Sequence, residues 1–147
     1  MLARELAMHE ALISRLRSRP ELHVSEQSTA WSINLSTRTA WRFVIIIPRE
    51  MLEWFVDAWS PDLSDKVWSD WCEWYSCGGE PPEIELPSYY ARDVEHFIER
   101  VLQADELRVH VDAPSSLLAR VLPRSSHLQV RRGEEWTSIE PGELPAV

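Results

Sequence analysis

Five of the eight tryptophans, Trp54, Trp59, Trp68, Trp71 and Trp74, fall within 21 residues, and Asp57, Asp62, Asp65, Asp70 and Glu73 lie among them. Two kinds of chemistry suit that mixture. Tryptophan is large, rigid and amphipathic, which makes it an anchor at protein interfaces, and carboxylates around it steer and pair a basic partner. Aromatic rings beside carboxylates also suit sugars, with Asp70 and Glu73 as an acid and a base. The bland reading of acids three residues apart is a solvated face, and the bland reading of the tryptophans is core. Trp54 and Trp68 are expected inside; Trp71 and Trp74 divide evenly between core and surface, because one small domain struggles to bury every ring.

A second acidic group, Glu80, Glu83 and Glu85, sits in the proline-punctuated stretch EPPEIELP. Pro81 and Pro82 pre-set the backbone and lower the entropic cost of binding there. The expected partner contacts are therefore Asp70, Trp71, Glu73, Trp74, Glu80, Glu83 and Glu85.

The net charge of −9 is unevenly placed. Residues 1–48 carry +2, residues 49–106 carry −11 and residues 107–147 balance to zero. Phosphate contacts need a basic face, so nucleic acid is a poor partner and a basic protein a better one. The four glycines, Gly78, Gly79, Gly133 and Gly142, form no phosphate-cradling loop, and no cofactor is expected. Cys72 and Cys77 lack a histidine at a catalytic spacing and make neither a disulfide framework nor, with the scattered His9, His23, His96, His110 and His127, a recognisable metal site. There is no G-x-S-x-G. No run is long enough to span a bilayer, and the charged N-terminal stretch MLARELAMHEALISRLR has no signal-peptide h-region; the cytoplasm is the expected compartment.

The elements that must position these residues follow from periodicity. Residues 1–19 place Leu2, Leu6, Leu12, Ile13 and Leu16 on a helical stripe, closed by Pro20. Leu22 and Val24, then Trp31, Ile33 and Leu35, alternate with polar neighbours as half-buried strands. The run 41–47 is continuous and β-branched, as in a strand covered on both faces. Residues 50–60 fit helix and strand; Trp54-Phe55-Val56 favours a strand over 53–59, with Ser60-Pro61-Asp62 as a hairpin turn. Val67, Trp68, Trp71, Cys72 and Tyr75 fall at helical spacing, although a strand running into a short helix also fits. A helix is expected over 88–104, a strand over 107–111, a short helix over 114–122, and a hairpin over 128–139 turning at Gly133-Glu134. The sum is a single α+β domain over 1–140, a mainly antiparallel sheet with about three helices, followed by a flexible tail over 141–147.

The stretch from Trp54 through Trp68, Asp70, Trp71, Trp74 and Tyr75 to the helix at 88–104 resembles small bacterial immunity proteins of polymorphic toxin systems, some of which carry a strand, a turn and a W-x-D-W-x-x-Y stretch; here Trp74 stands at the tyrosine's place and Tyr75 follows it. The resemblance covers about residues 53–104. It implies a non-enzymatic cytoplasmic protein that binds and blocks one cognate toxin domain. The alternative from another class is an adaptor that uses its aromatic surface to self-associate.

Overall fold

The computed structural model describes residues 3–62, 64–73, 86–111 and 126–143. Helix α1 (Ala3–Arg17) leads into a meander of five antiparallel strands: β1 (Leu22–Glu26), β2 (Ala30–Ser36), β3 (Arg42–Pro48), β4 (Glu53–Trp59) and β5 (Trp68–Glu73). Helix α2 (Leu86–Gln103) follows, and a second sheet closes the chain with β6 (Glu106–Val111), β7 (Ser126–Arg132) and β8 (Glu135–Ile139). The architecture is α+β and mainly antiparallel, as expected, with two helices among the described residues rather than three. The helix expected over 114–122 lies outside the described residues.

Period-two alternation sets the inner face of the first sheet. Trp31, Ile33 and Leu35 of β2, Phe43, Ile45 and Ile47 of β3, and Trp54, Val56 and Ala58 of β4 are all buried. Against them pack Leu12, Ile13 and Leu16 of α1 and Tyr90, Val94, Phe97, Ile98 and Val101 of α2. Phe97 is the hub: Trp68 stacks on it at 6.2 Å, while Trp54 and Phe43 meet it edge-on at 5.3 and 6.1 Å. The two helices lie side by side, with Arg15 bonded to Glu95 and Arg19 to Glu99. Leu107, Leu128, Val130 and Ile139 of the second sheet join the same core.

The strand expected over 53–59 has those bounds, and the 128–139 hairpin turns at Gly133, whose positive φ of 64° is the left-handed conformation a two-residue turn requires. Two expectations are corrected. Over 68–73 the helical spacing gives way to the alternative strand, since Trp68–Glu73 pairs with β4 from Glu53↔Glu73 to Ala58↔Trp68, and residues 74 and 75 lie outside the described residues. β3 is covered on one face only: Val44 and Ile46 are partly exposed. Gly142 donates its backbone N–H to the buried Asp93 carboxylate at 2.9 and 3.0 Å.

Candidate interaction surface

The outer face of the first sheet is built by the same alternation that builds the core. Register aligns one row across it, Ser25, Ser32, Ile46, Phe55 and Trp71, and a second row, His23, Asn34, Val44, Asp57 and Ser69. The β1–β2 side of the face is thus polar, while the β3–β5 side carries Val44, Ile46, Phe55, Trp59 and Trp71. Trp71 is 52% exposed and Phe55 38%, and their rings stack at 6.0 Å with 19° between the planes. Exposed large aromatics in contact with one another mark an interaction surface more readily than scattered ones.

Charges frame this pair. On one side the Arg42 guanidinium lies over the Trp59 ring at 4.8 Å and Lys66 pairs with Asp57 at 3.4 Å, so both cations are engaged within the chain. On the other side the β4–β5 register sets position 53 opposite position 73.

Helix α2 fixes β4 from beneath. Trp54 donates its indole N–H to Asp93 at 2.8 Å, and the Tyr90 hydroxyl donates to the Glu53 carbonyl at 2.7 Å. Burial, with Asp93 and Glu53 nearby, holds the Tyr90 hydroxyl well above its ordinary pKa, so it remains a donor. These bonds pin the inner positions of β4 and thereby direct Phe55 outward.

Because β5 is a strand, Asp70 and Trp71 lie on opposite faces of the sheet. Trp71 is on the outer face. Asp70 is on the inner side, toward the second sheet, and accepts the Trp71 backbone N–H at 2.8 Å. Burial raises the Asp70 pKa and Glu140 adds to the rise, while that hydrogen bond and His127 oppose it. Positions 70 and 73 fall on opposite faces of the strand, where a helix would set them on one. Trp74, Glu80, Glu83 and Glu85 lie outside the described residues. Phe55 and Ile46, which complete the aromatic row, escaped the sequence reading; the signal was the alternation of Phe55 with Trp54 and Val56.

A polar cavity of about 300 Å³ lies between α1 and the β1–β2 edge. Its two arginines, Arg17 and Arg49, both converge on Glu26, at 3.7 and 2.6 Å. Among the described residues no group of three or more His, Cys, Asp or Glu side chains is arranged to hold a metal ion, and no helix is long and apolar enough to cross a membrane. No protein-family model, curated protein or solved structure matches the chain.

Proposed function

We propose that this protein is a non-enzymatic inhibitor of the immunity type, which binds a basic toxin domain and covers its active site. The observation that carries the reading is the exposed Phe55–Trp71 stack on the outer face of β3–β5, within a chain of net charge −9. Aromatic anchors supply residence time, and the surrounding carboxylates supply on-rate and selection for a basic surface. The cytoplasmic compartment inferred from the sequence belongs to the same proposal.

The test is co-expression with the protein encoded immediately upstream, read by host growth and by co-purification at low and high salt. The expected result is rescue of growth by a complex that weakens as salt rises, with rescue lost in Trp71→Ala. Absence of both rescue and complex overturns the reading. A tight dimer in sedimentation without any partner assigns the same face to self-association, as an adaptor would use it.

A further inference from the structure

We propose that the cavity between α1 and the β1–β2 edge is a binding site for a small zwitterion of dipeptide size, with Glu10 taking its ammonium and Arg17 its carboxylate. The site is on the inner side of the first sheet, away from the outer-face Phe55–Trp71 pair, and it goes beyond the inhibitor reading.

Helical spacing builds one wall. Glu10, Ser14 and Arg17 follow one another at four and three residues, which puts a carboxylate, a hydroxyl and a guanidinium in order along one stripe of α1. The floor is apolar, from the buried Ile13 and Trp31. Arg49 fixes the sheet side: it donates to Glu26 at 2.6 Å and to the Gln27 carbonyl at 3.1 Å, and lies over the Trp31 ring at 4.4 Å. Glu26 is committed to that arginine. The Arg49 hydrogen bond and charge, with the charge of Arg17, hold the Glu26 pKa below its ordinary value, so it stays ionised.

Two charged groups of the lining remain open. The Arg17 guanidinium is half exposed and stands 3.7 Å from Glu26, too far for a hydrogen bond; among the described residues it has no other charged or hydrogen-bonded partner. The exposed Glu10 carboxylate has none among the described residues. Their backbone positions are about 10 Å apart along the helix axis. An extended dipeptide is about 7 Å from ammonium to carboxylate, and side chains reaching in from either end close the difference. Ser14 lies between them, where the peptide group of such a ligand falls. The lining carries two acids and two bases and so balances. A lone anion at Arg17 meets Glu26 beside it, and a lone cation at Glu10 leaves Arg17 unanswered, whereas a zwitterion pairs both charges and adds no net charge. A volume of about 300 Å³ is at the small end for ligand sites, which limits the ligand to about two small residues.

The experiment is an NMR titration of the full chain with alanyl-alanine, at low salt and up to tens of millimolar, at about pH 7, where both ends of the dipeptide are charged. Its N-acetylated form, which lacks the ammonium, and its C-terminal amide, which lacks the carboxylate, are titrated beside it. The readouts are the Trp31 indole N–H and the backbone amides of residues 10–17. The expected result is a saturating shift of both with alanyl-alanine, and binding weaker by about threefold or more when either end is blocked. Arg17→Gln no longer distinguishes alanyl-alanine from its amide, and Glu10→Gln no longer distinguishes it from the acetylated form, while each variant keeps its preference at the other end. Both side chains are exposed, so the variants keep the fold, and the comparison of the three peptides on the wild type stands without them. No saturating shift, equal binding of the three peptides, discrimination that survives both substitutions, or shifts centred on Trp71 overturns the proposal. Growth rescue tests the inhibitor reading alone, so either proposal can fail without the other.

Discussion

Asp93 is the buried group on which the interaction surface depends most directly, and replacing it with alanine tests the argument. Its side chain is fully buried, accepts the Trp54 indole N–H at 2.8 Å and accepts the Gly142 backbone N–H at 2.9 and 3.0 Å. Asp93→Ala strands the buried Trp54 indole N–H and leaves the exposed Gly142 amide to water. A buried donor left unpaired costs about 1–3 kcal/mol, and an exposed bond to a charged acceptor adds about 1 kcal/mol. The combined loss is about 2–4 kcal/mol. For a chain of this size that lowers Tm by roughly 5–10 °C. Chemical denaturation of the wild type, Asp93→Ala, Trp54→Phe and the double variant makes a cycle that isolates the indole bond. A coupling of about 1.5–3 kcal/mol is expected, since removing the indole donor removes the penalty of stranding it. Hydrogen exchange adds a local readout: the amide of Gly142 loses protection in Asp93→Ala and keeps it in Trp54→Phe. A variant within about 1 kcal/mol of wild type, or a cycle with no coupling, refutes the claim that Asp93 ties β4 and the C-terminal segment to α2.

Three other expectations follow from single residues. Asp70 has a raised folded-state pKa, so its stabilising contribution is present below the ordinary carboxylate range and lost as pH rises through the raised value; Asp70→Asn therefore melts above wild type at about pH 7, and the gap closes toward about pH 3. Gly133→Ala costs about 1 kcal/mol by denaturation, from positive φ alone, since nothing lies within 4 Å of the added methyl group. Gly142→Ala costs more, because its φ is +88° and the new Cβ also meets the Cys72 Sγ at 3.0 Å. Arg38 donates to the carbonyls of Gln103 and Ala104 at the end of α2 and pairs with Asp105 at 2.5 Å, so Arg38→Ala loses about 1 kcal/mol and deprotects the amides that open β6.

The elements that were legible in the sequence are those whose local preference agrees with their surroundings. β4 was readable because Trp54, Phe55 and Val56 favour a strand and Ser60-Pro61-Asp62 announces a turn. β7 and β8 were readable because Gly133-Glu134 fits a two-residue hairpin. β5 was not. In a half-buried strand apolar residues point inward and polar ones outward, yet here Asp70 points inward and Trp71 outward, which destroys the period-two signal and leaves Trp68, Trp71 and Cys72 at helical spacing. The clue lay upstream, in the turn itself: a hairpin turn after β4 requires a strand to follow it. The candidate site suffered from the same inversion. A helix gathers Asp70, Trp71, Glu73 and Trp74 into one patch, whereas the strand keeps Trp71, turns Asp70 away and brings in Phe55 from the neighbouring strand.

That inversion bears on function, because it runs against stability on both sides of the strand. A carboxylate half-buried at position 70 is held with a raised pKa, and an indole at position 71 gives up the burial that its size would reward. β5 ends the described order of the first sheet, and strands so placed are the ones that pair with foreign strands. A large exposed aromatic on such a strand invites aggregation unless charge opposes it. The net charge of −9 supplies that opposition, because two copies of an acidic chain repel. Under the proposed function, the same net charge that keeps copies of the chain apart would favour a basic surface against the exposed Phe55–Trp71 pair.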